Sequence, residues 1–437
     1  MTSVEAILSR LEIFGIRLGL DQSRRLLAAL GSPQEGLPVV LVAGSNGKGS
    51  TAALLASIVG AAGYRVGLYT SPHLEDVEER LRINGRSIDP GALATLLQKA
   101  VEVGVEKVGA APTYFEALTV AAYVHFREQA VDLAVMEVGL GGRLDATNVA
   151  DPVLSVISSI ALDHQNVLGE SLAEIAREKA GILRPGTGAV SWVDATEARE
   201  ALFERAEEIG APLVDVRGEC RWEDEVTLET EVQRYELEMS LAGACQRRNA
   251  ALAVRAAEHL GAQGWSAIDC TAVEAGVALC RWPGRLERIE IDGGPTVILD
   301  GAHNREAMVL LSSHLADLAD FCSGDGEDEE SYWLIFGALR DKAADAMLET
   351  ISRGADHTIL AAPRSPRAIA SDELAAAHPG QGFSVASTSE EALDNALESG
   401  VRRIVVCGST YLVGEIRVDL RRRFGVPQAA TAVRTGP

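Results

Sequence analysis

The chain has 437 residues, more than one hydrophobic core usually supports, so we expect two domains. The hydrophobic share of 47% and the aromatic share of 5% are typical of an aliphatic α/β protein and exclude a disordered or fibrous one. Asp and Glu (63) outnumber Lys and Arg (40), and the net charge of -23 disfavours binding to nucleic acid or to an anionic membrane. Any anionic substrate must therefore be bound by a local basic site.

From residue 37 the sequence alternates between short apolar runs and helical patterns. The runs LPVVLVAG (37–44), YRVGLYT (64–70), VDLAVMEVG (131–139) and DPVLSVISSI (151–160) predict buried strands. Near-continuous apolar strands separated by helices indicate a parallel sheet that is covered on both faces. We therefore expect a doubly wound domain similar to the P-loop NTPases.

The rhythm starts again after residue 288. PTVILDGAHN (295–304), YWLIFGAL (332–339), HTILAAP (357–363) and RRIVVCGSTYL (402–412) are each followed by helix-like sequence. These runs predict a second, smaller Rossmann-like α/β domain, and we divide the chain into residues 1–288 and 289–437. The acidic stretch 322–330 is interpreted as a solvated loop.

The cysteines and the N-terminal segment indicate where in the cell the protein acts. The six cysteines form no C-x-x-C pair, and no His is arranged with them at metal-ligand spacing. The N-terminal segment has charge in every turn, and no apolar run approaches the roughly 18 residues that a membrane span needs. We expect a soluble, cytoplasmic protein that acts as a monomer.

The segment VAGSNGKGST (42–51) lies at a predicted strand-to-helix turn, which is the context of a phosphate-binding loop. Its glycines permit close backbone approach, and the free N–H groups at the helix start favour anionic oxygen. Lys48 can reach the β- and γ-phosphates, and Ser50 or Thr51 can ligate Mg²⁺. The usual pattern has Ser or Thr directly after Lys, whereas here Gly49 intervenes, so a flexible Gly-rich turn remains an alternative.

Four further stretches (69–85, 136–149, 161–169 and 177–186) place polar residues just beyond an apolar strand or at a helix start. Ligands bind at the carboxyl ends of the strands in an open α/β sheet. Glu137 ends a buried strand, where a carboxylate is costly unless a cation pairs with it. The sequence therefore predicts a ligand site at this edge of the sheet.

These motifs, in their order along nearly the whole chain, resemble the folylpolyglutamate synthase/dihydrofolate synthase family, the folate branch of the Mur-type ATP-dependent ligases. The motifs are G-S-N-G-K-G-S, T-S-P-H-L, E-V-G-L-G-G-R-L-D-A-T-N, L-D-H, E-K-A-G-I, W-P-G-R-L-E and D-G-A-H-N. The family's loop also carries Gly after Lys. The resemblance implies that a substrate carboxylate attacks the γ-phosphate of ATP, and that the amino group of L-glutamate then displaces phosphate to form an amide.

The resemblance also implies roles for individual residues around ATP and two Mg²⁺ ions. The implied ATP contacts are Gly44, Asn46, Gly47, Lys48, Gly49, Ser50, Thr51, Asn249, Arg285 and Asp300. The implied metal positions are Ser50, Ser71, Glu137 and His164, and the implied catalytic residues are Lys48, Glu137, His164 and Lys179. Lys179 matches a lysine that the family carries as a carbamate, in which CO₂ turns a cation into a metal-binding carboxylate. Taken alone, His164 could be a structural histidine and Lys179 a surface helix residue.

The remaining implied contacts concern the other two substrates. The pteroate or folate positions are Thr113, Phe115, Glu116 and Asp145, although Phe115 could equally belong to the core. The glutamate positions are Arg80, His303 and Ser409, and Lys342 is a weaker structural or phosphate-side candidate. The sequence departs from the family at Cys245, which puts the adenine packing in doubt, and at Arg305, where Pro is common at the start of a helix.

Several readings stay open. The acceptor could be dihydropteroate, a folate that already bears glutamate, or both, and we favour a bifunctional enzyme over a monofunctional folylpolyglutamate synthase. A cell-wall Mur ligase would have an additional N-terminal domain, for which the sequence before residue 44 leaves no room. A nucleotide-dependent binding or switch protein would not explain Arg80, His303 and Ser409 beside a metal set.

Overall fold

The computed structural model describes residues 3–12, 15, 17–317 and 332–427. The strands are β1 Val39–Ala43, β2 Val66–Tyr69, β3 Leu81–Ile83, β4 Arg86–Ser87, β5 Leu133–Glu137, β6 Leu154–Ile157, β7 Ala189–Ser191, β8 Leu213–Asp215, β9 Cys220–Trp222, β10 Thr227–Thr230, β11 Arg234–Glu236, β12 Glu287–Glu290, β13 Thr296–Leu299, β14 Tyr332–Phe336, β15 Ala355–Ala361, β16 Ser384–Ala386 and β17 Arg403–Cys407. The helices are α1 Ser3–Glu12, α2 Asp21–Ala29, α3 Lys48–Ala61, α4 Pro90–Val103, α5 Tyr114–Glu128, α6 Gln165–Leu168, α7 Leu172–Lys179, α8 Thr196–Ile209, α9 Val216–Glu219, α10 Ala244–Ala262, α11 Cys270–Leu279, α12 Arg305–Asp317, α13 Ala344–Ile351, α14 Ser371–Ala377, α15 Ser389–Glu398 and α16 Thr410–Phe424. The acidic stretch 322–330 lies outside the described residues.

The first sheet has eight strands in the order β4-β3-β2-β5-β1-β6-β7-β8. From β2 to β8 the neighbours run parallel, which confirms the predicted doubly wound architecture. The strands β3 and β4 extend one edge as an antiparallel hairpin that the sequence analysis did not predict. In this order the loops after β1, β2, β5 and β6 meet at one edge, because these four strands are neighbours.

Alternating side chains of β1 explain why both faces are covered. Leu41 packs into a core with α4, α5, α7 and α8, whereas Val40 and Val42 pack into a core with α3, α10 and α11. All five residues of β1 are buried, as expected for a central strand between two helical layers.

A small antiparallel sheet, β11-β10-β9, follows the first sheet along the chain. Leu228 of β10 pairs with Tyr235 of β11, and both side chains pack on the α3–α10–α11 side of the large sheet. These strands have three or four residues each, so their apolar pattern is too short to predict a strand from sequence.

The second large sheet has six strands in the order β12-β13-β17-β14-β15-β16. Its neighbours run parallel except β12, which pairs antiparallel with β13. One apolar core lies against α12, α13 and α14, and the other lies against α15 and α16. Among the described helices, none has the length and apolar character that crossing a bilayer requires.

The loop after β2 docks the second domain against the first. A Cβ atom at Gly414 of α16 would lie only 1.8 Å from the carbonyl oxygen of Leu74, so glycine is required for this contact. Next to it, Arg417 forms ion pairs with Glu75 and Glu287, and the side chains of Arg417 and Glu75 are 3% and 0% exposed. Buried charges of this kind are costly to separate, so this contact fixes the loop after β2 relative to α16.

Candidate active site

A cavity of about 240 Å³ lies at the carboxyl edge of the first sheet, between the two domains. The candidates that line it are Gly44, Asn46, Gly47, Lys48, Gly49, Ser50, Ser71, Glu137, His164, Lys179, Cys245, Asn249, Arg285, Asp300 and His303. The candidates outside this lining are Thr51, Arg80, Thr113, Phe115, Glu116, Asp145, Lys342 and Ser409. The structure thus brings most of the nucleotide and metal candidates together, and it separates most of those predicted for the other two substrates.

The phosphate loop is held in place from the neighbouring strand end. The carbonyl of Asn46 accepts hydrogen bonds from the hydroxyls of Ser158 and Ser159 at 2.7 and 2.9 Å. Gly47 adopts a φ of 80° just before α3, and a Cβ there would lie 2.4 Å from Oδ1 of Asn249. The start of α3 has no side-chain cap, and its first residues, Lys48, Gly49 and Ser50, line the cavity, so this helix start is suited to an anion.

Gly49 has a steric reason to be glycine. A Cβ at this position would lie 3.2 Å from Cζ2 of Trp282 and 3.3 Å from Oε2 of Glu137. A side chain at the residue after Lys48 would therefore be crowded, because the indole of Trp282 and the carboxylate of Glu137 lie against this position. The departure from the usual loop pattern follows from this packing, and the flexible-turn alternative does not explain it.

Two lysines lie at the loop: Lys48 is half-buried at the first position of α3, and Lys179 is buried. Nζ of Lys48 donates to the carbonyl of Ser45 at 3.1 Å, and Nζ of Lys179 donates to the carbonyl of Gly44 at 2.8 Å. Burial lowers the pKa of Lys48, although Glu137 opposes the shift. Burial, reinforced by Lys48, lowers the pKa of Lys179 to about 7. Lys179 is 3% exposed, so it is not a surface helix residue.

Glu137 lies at the end of β5, opposite Val42 of β1. Its Oε2 accepts a hydrogen bond from the backbone N–H of Ser71 at 3.0 Å. Burial raises the pKa of Glu137, and Lys48 opposes that rise. The carboxylate therefore has the neighbouring cation that its burial demands.

The hydroxyl and imidazole candidates differ in how accessible they are. Ser50 lines the cavity, whereas Thr51 is 0% exposed and lies outside the lining. His164 has a φ of 50°, and its Nε2 lies 3.1 Å from Nζ of Lys342. Burial and Lys342 lower the pKa of His164, so the ring is neutral and can accept this hydrogen bond. A metal at Nε2 would have to replace Lys342.

The sequence analysis quoted the L-D-H motif but overlooked Asp163. Nζ of Lys342, from the second domain, donates to Oδ1 of Asp163 at 2.7 Å, and the two side chains are 6% and 11% exposed. Burial alone would raise the pKa of Asp163, but Lys342 and His164 outweigh it and hold that pKa below its usual range. The pair therefore ties the second domain to the loop after β6.

A second link across the cavity was also missed. Nδ2 of Asn304 donates to Oδ1 of Asn46 at 2.7 Å, and Nδ2 of Asn46 donates to Oε2 of Glu306 at 2.9 Å. Asn304 lies in the quoted D-G-A-H-N motif, whereas nothing in the sequence singled out Glu306. The phosphate loop is thus in direct contact with the start of α12.

The far end of the cavity combines polar and apolar walls. Nδ2 of Asn249 donates to Oε1 of Gln246 at 3.0 Å, and burial raises the pKa of the neighbouring Cys245 thiol. Asp300 accepts hydrogen bonds from two backbone N–H groups at 2.8 Å, so its carboxylate braces the turn after β13. Arg305 is the first residue of α12, so the helix forms without the proline common at that position.

Arg80 is 5% exposed, and among the described residues no carboxylate lies within ion-pair distance of its guanidinium. Its Nε donates to Nδ1 of His73 at 3.0 Å, and the guanidinium stacks on the ring of Tyr114 at 5.2 Å. The ring of His73 in turn lies 6.4 Å from the ring of Tyr411, in the first turn of α16, whose N-cap is Ser409. A buried guanidinium without an anionic partner is costly, so this place favours an anionic ligand.

His303 lines the cavity on the second-domain side. Its Nδ1 lies 2.8 Å from the carbonyl of Gly301, and burial lowers the pKa of its ring to about 4. The backbone N–H of Gly408, next to Ser409, donates to the carbonyl of Ala302 at 2.9 Å. His303 and Ser409 therefore lie on adjacent turns of the second domain.

The four acceptor-side candidates have structural partners of their own. Thr113 and Glu116 form a capping box at the start of α5. Oδ2 of Asp145 accepts a hydrogen bond from the N–H of Leu140 at 2.8 Å, and a Cβ at Gly139 would lie 2.4 Å from the ring of Phe115. Phe115 and Asp145 thus lie against the segment 139–140, which lines the cavity.

The described residues contain one tight group of three carboxylates, Glu75, Asp76 and Glu79. It lies outside the cavity lining, and Glu75 is paired with Arg417 and Arg421. The ion pairs of Glu75 place this group of carboxylates at the contact between the two domains.

Comparisons with known proteins agree with this geometry. Residues 42–257 match the Mur ligase middle domain, and residues 284–410 match the Mur ligase, glutamate ligase domain. The chain is 36% identical to the dihydrofolate synthase/folylpolyglutamate synthase of Bacillus subtilis, over 93% of this chain and 96% of that protein. It is also 36% identical to a probable bifunctional folylpolyglutamate synthase/dihydropteroate synthase of Halobacterium salinarum, but there it spans about half (50%) of the relative's length.

Solved structures give the same result. The structure of Escherichia coli FolC in complex with DHPP and ADP superposes with a TM-score of 0.85 at 31% identity, covering 97% of this chain and all of that one. A bifunctional folylpolyglutamate synthase/dihydrofolate synthase with Mn, AMPPNP and L-glutamate bound gives a TM-score of 0.82 at 29% identity, covering 96% of this chain and 99% of that one.

Proposed function

The chain belongs to the dihydrofolate synthase/folylpolyglutamate synthase family of Mur ligases, and on this premise we propose that it joins L-glutamate to dihydropteroate and to reduced folates at the expense of ATP. The observation that carries the proposal is the convergence, in one interdomain cavity, of the phosphate loop and Glu137 from the first domain with Arg285 and His303 from the second. In this proposal residues 1–288 bind ATP and the acceptor, and residues 289–437 bind glutamate.

The reaction has two balanced steps. An oxygen of the acceptor carboxylate attacks the γ-phosphorus of ATP, and ADP leaves to give an acyl phosphate. The amine of L-glutamate then attacks the acyl carbon, phosphate leaves, and the amine loses its proton as the amide forms. Because phosphoryl transfer depends on positioning and charge neutralisation, Lys48, Arg285 and the N–H groups of α3 supply most of what the protein contributes.

The residues at the loop fit a divalent cation. The hydroxyl of Ser50 and the carboxylate of Glu137 are oxygen donors of the kind that Mg²⁺ prefers, and burial raises the pKa of Glu137 although Lys48 opposes the rise, so a further cation beside this carboxylate is favourable. A bound Mg²⁺ supplies charge neutralisation for the phosphates. We propose Glu137 and His164 as the candidates for a second ion, which requires His164 to release Lys342.

We propose that Lys179 is carbamylated. A neutral amine reacts with CO₂, and a pKa lowered to about 7 leaves a large neutral fraction at physiological pH. The carbamate would place an anion near Lys48, whose positive charge contributes to the lowered pKa of Lys179.

We propose that Arg80, His303 and Ser409 receive the carboxylates of L-glutamate. Two independent features favour an anion here. Arg80 is buried and has no carboxylate partner among the described residues, and Ser409 caps the N-terminus of the 15-residue helix α16. Because the contact of Leu74 with Gly414 fixes the loop after β2 against α16, the two features keep a constant separation.

We propose that the acceptor binds by the segment 139–140, next to Phe115 and Asp145, and that Thr113 and Glu116, which cap the start of α5, belong to the same subsite. An aromatic ring and a few fixed polar groups suit a flat bicyclic ring. We favour both acceptors over a monofunctional folylpolyglutamate synthase. We also propose that the enzyme acts as a monomer in the cytoplasm, which sedimentation of the purified protein tests.

The direct test uses the purified protein with ATP, Mg²⁺ and L-glutamate, together with either dihydropteroate or a reduced folate monoglutamate. Mass spectrometry of the acceptor and release of ADP are followed in parallel. We expect one glutamyl residue to be added to each acceptor. Addition to one acceptor alone refutes bifunctionality, and addition to neither refutes the proposed function.

A further inference from the structure

Glu306 is a carboxylate with no part in the chemistry derived above, yet it lines the nucleotide cavity. It lies in the first turn of α12, and its Oε2 accepts the hydrogen bond from Nδ2 of Asn46 at 2.9 Å. Arg248 is close enough to lower the pKa of this carboxyl, against the rise that burial causes. The Glu306 side chain therefore interacts with two residues of the first domain, Asn46 on the phosphate loop and Arg248 on α10.

These two neighbours mark the two ends of a bound nucleotide. Asn46 belongs to the phosphate loop, and Arg248 directly precedes Asn249, an ATP contact that the family resemblance implies on the adenine side. Beyond Glu306, the same helix adds an apolar wall to the cavity through Ala307, Leu310 and Leu311. A nucleotide with its phosphates on the loop and its base beside Asn249 has its ribose between them, and Glu306 contacts the loop through Asn46 and is acted on by the charge of Arg248, the residue before Asn249.

The chemistry of a carboxylate suits a ribose and does not suit the other parts of the ligand. Phosphate oxygens repel a carboxylate, whereas vicinal hydroxyl groups are neutral donors that it can accept with both oxygens. Hydrogen bonds to a charged acceptor are stronger than neutral ones, and acidic side chains bind ribose hydroxyls in dinucleotide-binding folds.

We propose that Glu306 accepts hydrogen bonds from the ribose hydroxyl groups of the nucleotide and so selects ribonucleotides over deoxyribonucleotides. The proposal rests on the proposed function only in that the cavity binds a nucleotide. Asn46 then has two tasks, since it contributes to the phosphate loop and also holds Glu306 in place through Nδ2.

The test is calorimetric binding of ADP, 2′-deoxy-ADP and 3′-deoxy-ADP to the full chain and to Glu306→Ala, with Mg²⁺ and without acceptor or glutamate. Glu349→Ala, an exposed glutamate on α13 outside the cavity lining, is the matched control. We expect the wild type and the control to bind ADP about tenfold more tightly than at least one deoxy analogue. In Glu306→Ala the affinity for ADP should fall to that of the analogue, whose own affinity should not change.

Two results would overturn the proposal. An equal loss of affinity for all three nucleotides in Glu306→Ala would mean that Glu306 only holds Asn46 in position. An unchanged preference for ADP over the analogues would mean that the ribose lies elsewhere. Glu306→Gln keeps an acceptor for Asn46 and should show a smaller ratio of ADP affinity to analogue affinity than the wild type. This variant provides an independent measurement if the alanine variant folds poorly. Since no ligation is needed, a protein that binds with the expected pattern but adds no glutamate would refute the proposed function and leave this inference standing.

Discussion

Replacing Lys179 by methionine is expected to stabilise the ligand-free protein and to abolish its ligase activity. Lys179 is 3% exposed, and its Nζ donates to the carbonyl of Gly44 at 2.8 Å. Methionine has a similar length and no charge, so it can fill the same space. Activity is lost because the variant cannot form a carbamate.

The magnitude follows from the lysine's pKa, which burial and Lys48 lower from 10.5 to about 7. At neutral pH the unfolded chain holds a proton that folded Lys179 partly releases, so folding is penalised by on the order of 4 kcal/mol. The lost hydrogen bond to Gly44 returns about 1 kcal/mol of this, so the variant should be more stable by about 3 kcal/mol at pH 7. The penalty is constant below the folded pKa, and it shrinks by about 1.4 kcal/mol per pH unit as the pH rises towards the unfolded pKa.

Urea and thermal unfolding midpoints of wild type and Lys179→Met, measured from pH 7 to 9.5 in buffer free of CO₂ and divalent metal, test the sign and the slope. The same transition must be compared in both proteins, because a two-domain chain need not unfold in one step. Lys99→Met, on the exposed side of α4, is the matched control and should show no pH-dependent difference. A variant less stable than wild type at pH 7, or a difference independent of pH, would refute the reasoning, and an active variant would refute the carbamate.

Three further substitutions test the site. Glu137→Ala should keep the fold but reduce kcat by at least about a hundredfold, and a fully active variant would show that Glu137 holds no catalytic metal. Lys342→Met should lower the unfolding midpoint by an amount equivalent to about 3 kcal/mol, because it leaves Asp163 buried without a cation. Adding Asp163→Asn to the same chain should restore most of the lost stability. If the double variant is no more stable than Lys342→Met, the pairing is contradicted. Gly49→Ala should change stability by less than about 1 kcal/mol, since helix propensity offsets crowding, but should lower kcat, whereas Gly60→Ala on the same helix meets nothing within 4 Å and should keep full activity.

The large sheets could be predicted from sequence because their strands are continuous apolar runs flanked by helices. Every residue of β1 and β5 is buried, and such runs are readable without knowing the partner strand. The β3–β4 hairpin and the sheet β9–β11 have strands of two to four residues, and they are stabilised by packing on the larger domain that no local pattern reveals.

The site residues that lie at the ends of strands could be predicted from the sequence. Lys48, Glu137 and His164 follow β1, β5 and β6, and the strand order brings those ends together. The pair of Asp163 with Lys342 joins residues far apart in the chain, so it depends on how the domains dock. Roles in binding substrate stay predictions for all of these residues.

The central claim, ATP-dependent joining of glutamate through an acyl phosphate, is tested most directly with dihydropteroate in which both carboxylate oxygens are a heavy isotope. The purified protein, ATP, Mg²⁺ and L-glutamate are added, and both products are analysed by mass spectrometry. We predict that the acceptor gains one glutamyl residue and that the released phosphate carries one heavy oxygen. Absence of the glutamylated product, or its formation with unlabelled phosphate, would contradict the account.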